Sequence, residues 1–98
     1  SGEAPRHALL GVSTRPTIDG SEGALVAAVE PGSGADDAGI RVGDVITSLD
    51  GDVIETPDEL VAAITSRSPG DAVDVVVQRD GDEVTLTATL GAHDEVTG

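Results

Sequence analysis

Phenylalanine, tyrosine, tryptophan, methionine, cysteine and lysine are all missing from this chain of 98 residues. Any core must come from Val, Leu, Ile and Ala, which suffices because cores need suitable volume and patterning more than rings. Without cysteine there is neither a disulfide framework nor a thiolate metal site. That absence is compatible with an oxidising compartment. Without lysine, the cations are five arginines against nineteen acidic residues, a formal net charge of −14. A nucleic-acid groove and an anionic membrane surface are thereby excluded as partners, since both need clustered cations. The acidic excess reads as a solvating, salt-tolerant surface, and the Ala, Val, Gly, Asp and Arg bias fits a GC-rich genome. No apolar run nears the ~18 residues of a membrane span, and no signal peptide is expected. The opening Ser1-Gly2 matches a scar of tag removal.

What remains has the length of one small domain. Residues 1–5 are expected to be a flexible flank or such a scar, and 92–98 a flexible tail. Leu9 to Thr14 has strand composition interrupted by Gly11, and Arg15 to Gly23 is a loop marked by Pro16, Gly20 and Gly23. Ala24 to Glu30 reads as a buried strand ending at the turn Pro31-Gly32. Ser33 is placed to cap a short helix over Gly34 to Ala38, with Asp36 and Asp37 at its positive end and Gly39 at its C-cap. Val45 to Leu49 is a strand, Asp50-Gly51 a tight turn, and Val53-Ile54 a short strand. Thr56-Pro57-Asp58-Glu59 spells a helix start: a threonine cap, proline at the first turn, and glutamate three residues after the cap. That helix is expected to end near Ser68. Two alternating runs, Val73 to Gln78 and Val84 to Leu90, flank Asp80-Gly81 and predict a hairpin. Five to six short strands and two helices imply an α+β, mainly β, fold: a partly open barrel or sandwich capped by the helices.

Candidate chemistry is sparse. His7 and His93 lie in polar flanks without metal-ligand spacing and read as surface residues. No Gly-x-Ser-x-Gly elbow occurs. Asp44, Asp50 and Asp52 come close together around Gly51 as turn carboxylates and lack the calcium-loop pattern; an enzyme using them is the weakest reading. The residues around Gly11 leave two alternatives. Leu10-Gly11-Val12 is either an ordinary strand with a bulge or an anion-accepting run of backbone N–H groups beside a flexible glycine. In the second case the segment after it is one edge of a groove, the Thr56–Ser68 helix the other wall, and an extended peptide adds to the edge by β-augmentation.

Four stretches carry a family resemblance: R-H-A-L-L-G-V; G-A-L-V-A-A-V-E-P-G-S-G-A-D-D-A-G-I-R-V-G-D-V-I-T-S-L-D-G; T-P-D-E-L-V-A-A-I-T-S-R-S-P-G-D-A-V; and R-D-G-D-E-V-T-L-T-A-T-L-G. Over residues 6–91 the chain resembles a PDZ domain, and specifically those that follow the protease domain of bacterial HtrA-like serine proteases. Intramembrane metalloproteases of the site-2 type and C-terminal processing proteases carry similar modules. The resemblance implies a non-catalytic peptide-binding module without cofactor or metal, serving protein quality control. It would recruit substrate to, or regulate, a protease domain of the same chain in the cell envelope or another extracytoplasmic space. An assembly module with an idle groove is the rival within the same fold.

Transferred to this sequence, the resemblance implies that amides around Leu10, Gly11 and Val12 hold a terminal carboxylate. Leu10 and Val12 would frame the last side chain, and Ser13 and Thr14 would continue the pairing strand. Val61, Ile64 and Thr65 would line the opposite wall, with Leu60 in the core. Arg6 occupies the basic position before the loop and would assist the carboxylate. Leu9 would join the peptide-binding residues, although it replaces the usual Tyr or Trp, and a second departure is Ser33-Gly34-Ala35 in place of Ser-Pro-Ala. With no aromatic in the groove, partners are expected to be C-terminal or unfolded peptides ending in Val, Ala or Leu, with no direct membrane insertion.

Overall fold

The computed structural model describes residues 7–18 and 20–93. Ten elements follow in chain order: β1 (His7–Leu9), β2 (Val12–Pro16), β3 (Ala24–Val29), α1 (Gly34–Ala38), β4 (Val45–Leu49), β5 (Asp52–Val53), α2 (Pro57–Thr65), β6 (Ala72–Arg79), β7 (Asp82–Thr89) and β8 (Gly91–His93). Six of the strands make one antiparallel sheet in the order β2-β3-β4-β6-β7, with β5 beside β4; β1 and β8 pair separately. The mainly β architecture with two helices agrees with the sequence expectation. The first expected strand, however, is two strands broken at Leu10-Gly11. At the other end, pairing runs two residues past Gly91, where Ala92 and His93 face Ala8 and His7. Those two residues were expected to belong to the tail.

Alternation sets the core. Val73, Val75 and Val77 on β6 are fully buried, while Asp74 between them is exposed. Leu10, Ile46, Leu49, Ile54, Leu60 and Leu90 complete the largest buried side chains. Both Asp-Gly turns take left-handed backbone at the aspartate as well as the glycine, with φ 54° at Asp50 and Asp80. That is the primed-turn geometry whose twist suits a hairpin.

The helices are capped as their sequences dictate. Ser33 Oγ accepts from the Asp36 N–H at 3.2 Å and donates to the Glu30 carbonyl at 2.7 Å. A Cβ at Gly34 would run into the Thr89 carbonyl oxygen, so glycine lets α1 sit directly on β7. This close approach is the physical counterpart of the missing proline. On α2, Thr56 Oγ1 accepts from the Glu59 N–H at 3.2 Å, but Glu59 Oε1 reaches past the cap to the Glu55 N–H at 2.6 Å. The helix stops at Thr65, earlier than expected, as the Arg67 N–H turns back to the Ile64 carbonyl at 3.0 Å.

Two arginines divide the three turn aspartates, Arg79 taking Asp44 and Arg67 taking both Asp50 and Asp52. Asp44 is buried and takes two bonds from Arg79, Nε to Oδ1 at 2.9 Å and Nη2 to Oδ2 at 2.7 Å, while its Oδ2 also accepts the Arg41 N–H at 2.9 Å. Burial pushes the Asp44 pKa up, but the Arg79 hydrogen bonds, the Arg41 amide and both arginine charges outweigh it, and the net shift is downward. Asp50 and Asp52 instead flank Arg67, at 3.2 and 3.1 Å, tying the end of α2 to the β4–β5 turn. Asp44 thus serves one ion pair, and Asp50 and Asp52 share the other. No group of three or more potential metal ligands occurs among the described residues. Nor is any described helix long and apolar enough to cross a membrane.

Candidate functional site

A groove of about 700 Å³ runs between β2 and α2. Its floor begins at the broken strand. Gly11 has φ 94°, a region other residues rarely enter, and a Cβ there would collide with Ser33. The glycine is therefore required twice, by its own backbone and by the turn behind it.

Two hydrogen bonds orient the peptide planes on either side of Gly11. The Leu10 carbonyl accepts the Ala35 N–H at 2.9 Å, and the Gly11 carbonyl accepts the Glu30 N–H at 2.8 Å. In a trans peptide the carbonyl and the next N–H point in opposite directions, and no cis bond occurs among the described residues. The Gly11 N–H consequently points away from α1, and the Val12 N–H away from β3. Two successive donors turned outward make an anion-accepting concavity. Beyond them β2 pairs with β3 on one side only and ends the sheet on the other. That outer edge faces α2.

The helix supplies the second wall. Leu60 and Ile64, four residues apart, pack into the core, and Val61 and Thr65 lie beside them on the next stripe; all four line the groove. Val61 is 55% exposed and so presents an apolar surface on this wall. The structure thus brings Leu10, Gly11, Val12, Ser13, Thr14, Val61, Ile64 and Thr65 together around one groove. Leu9 lies in β1 with its backbone opposite Gly91, while its side chain falls outside what is described. Arg6 lies outside the described residues.

Sequence reasoning missed the turn from Glu30 to Gly34, which also lines the groove. A signal was present: β2 and β3 are consecutive antiparallel strands, so the residues that follow β3 must return beside the start of β2. Glu30 is the one charged residue among the described lining residues. A bound carboxylate would hence meet main-chain N–H groups before any described cation.

Comparison with known proteins agrees with this fold. The family profile of the PDZ domain matches residues 8–90. The chain is 38% identical over 73 residues to the periplasmic pH-dependent serine endoprotease DegQ of Escherichia coli (strain K12), covering 74% of this chain and 16% of that protein. It is 43% identical over 65 residues to a putative zinc metalloprotease of Mesorhizobium japonicum (strain LMG 29417 / CECT 9101 / MAFF 303099), covering 66% and 17%. Among solved structures, the HtrA-type protease AlgW with decapeptide superposes with a TM-score of 0.86 at 25% identity, over 93% of this chain and 31% of that one. The HtrA3 PDZ domain bound to a phage-derived ligand superposes at 0.77 and 23% identity, over 91% and 89%. The chain spans about one sixth of the length of the curated relatives it matches.

Proposed function

This chain belongs to the PDZ domain family, and from that premise we propose that it binds the C-termini of extended peptides by strand addition to β2. The observation that carries the reading is the pair of outward N–H groups at Gly11 and Val12, placed at the start of an open strand edge and across from Val61, Ile64 and Thr65. Main-chain bonds to β2 would supply affinity and the apolar groove the choice of last side chain. The groove, lined without aromatics, suits Val, Ala or Leu there. One short peptide seated in one groove gives affinity on the order of micromolar or weaker.

The relatives support a place in a longer, extracytoplasmic serine protease, where the module recruits substrate or shifts the protease between states. A shift requires that peptide bind one state more tightly than the other. The metalloprotease relative favours a second reading for the rest of the protein. An upstream Gly-Asn-Ser-Gly-Gly-like segment preceded by His and Asp would select the serine protease.

The test is fluorescence anisotropy with labelled peptides ending in Val, as the free acid and as the amide. The free acid binds, the amide binds at least ten-fold more weakly, and Gly11→Glu abolishes binding without changing the oligomeric state. Equal binding of acid and amide would overturn the carboxylate role. Altered assembly with no peptide binding would favour the assembly module.

A further inference from the structure

We propose that the exposed face of β2 and β3 reads charge along the peptide, favouring a cation at the penultimate residue through Glu30 and an anion at the fourth from last through Arg15. The proposal rests on the peptide-binding reading above. A peptide whose carboxylate sits at the Gly11 and Val12 amides and which pairs with β2 must run antiparallel to it. Its last residue then lies beside Val12, the penultimate beside Ser13, the third beside Thr14 and the fourth beside Arg15. Opposed residues on neighbouring strands point to the same face. Val12 and Thr14 are half-buried and Ser13 and Arg15 exposed, so the last and third side chains turn into the groove. The penultimate and fourth turn outward, onto the other face.

That outward face is chemically asymmetric. At its far end Arg15 is the direct neighbour of the fourth residue, and its guanidinium makes no ion pair among the described residues. At its near end stands Glu30, opposite Gly11 and two residues beyond the exposed Ala28 that pairs with Ser13. Glu30 is fixed in place: its N–H bonds Gly11, and its carbonyl accepts both the N–H and the Oγ of Ser33, at 3.2 and 2.7 Å. Its side chain is exposed, and no ion pair among the described residues engages it. Two strand spacings across and two residues along, about 12 Å, separate its backbone from that of the penultimate residue. Between them lie only small residues, a glycine without side chain, a serine and an alanine, so an extended lysine or arginine at the penultimate position and an extended Glu30 side chain together span the gap. The remaining surface, at a formal charge of −14 for the chain, adds a general pull on cations but none on the anion that Arg15 selects.

The experiment measures binding of decapeptides ending in Val with Ala, Lys or Glu at the penultimate position and, separately, at the fourth from last. Lys over Glu at the penultimate position and Glu over Lys at the fourth are each expected to gain about two- to five-fold, the size of an exposed pair, shrinking in 0.5 M salt. Glu30→Lys reverses the first preference alone and Arg15→Glu the second alone. Tight binding that is indifferent to these charges overturns the proposal and leaves the groove's function intact. A cation preference at both positions, unchanged by either substitution, also overturns it and assigns the effect to net charge. Absence of binding by every peptide to the folded domain overturns the groove's function as well.

Discussion

At one end of the sheet, β6 and β7 pair all eight of their residues in unbroken register, from Ala72 with Thr89 to Arg79 with Asp82. At the other end β2 and β3 slip by one residue at Ser13/Thr14, and β2 leaves its outer edge free. The hairpin buries three valines of β6 completely and is pinned at its turn by Arg79, which also donates to the Gly39 carbonyl at 2.8 Å. The groove edge depends on backbone: a left-handed glycine, two carbonyls drawn backward, and a helix wall set by its cap. β7, the last strand in the order, also has a partner on one side only; what sets the β2 end apart is the left-handed glycine, which turns two successive donors outward where pairing stops. Stability and recognition are thus concentrated at opposite ends of one sheet.

Removing the pin should have the largest effect on stability. Asp44→Ala forfeits charge-assisted bonds from Arg79 and the Arg41 amide, and urea denaturation should record a loss of about 2–3 kcal/mol. Because the Asp44 pKa is depressed on folding, its contribution is complete above the unfolded carboxylate value of about 3.9 and fades as pH falls through the folded value. Wild-type stability should therefore drop below about pH 4, and Asp44→Ala should flatten that limb of the curve. An equal acid limb in the variant would assign it to other carboxylates. Val75→Ala, which empties the fully buried middle of β6, should cost about 2 kcal/mol from lost burial and a small cavity. Peptide affinity should stay within two-fold, which sharpens the separation of the two ends; a ten-fold change would break it. Thr56→Ala, at the cap of α2, should cost only about 1 kcal/mol. It should nevertheless weaken peptide binding a few-fold, because the groove wall begins at that cap.

What could be read from the sequence divides along the same line. The hairpin, both Asp-Gly turns and both helix starts were legible because each is written in adjacent residues: alternating valines, a turn dipeptide, a capping threonine. The groove was not. Gly11 in isolation is as consistent with a bulge as with a binding loop, and what resolves it is Ser33, twenty-two residues away, whose side chain occupies the space a Cβ would need. The approach of Gly34 to Thr89 is likewise a long-range fact that no local pattern encodes. The Asp44, Asp50 and Asp52 cluster reads from sequence as turn carboxylates, but nearness in sequence does not show that two distant arginines divide them.

The short pairing of β1 with β8 has a mechanical consequence. His7 and His93 stand opposite each other at its outer end, followed inward by Ala8 with Ala92 and Leu9 with Gly91. A load that draws residues 7 and 93 apart falls on one pair at a time, so this ladder opens as a zipper rather than shearing as a unit. The next residues to feel the load after the third pair are Leu10 and Gly11 on one strand and Leu90 on the other. Tension between the flanking segments is consequently delivered to both at once: to the loop that presents the two outward amides and, through Leu90, to the end of the hairpin.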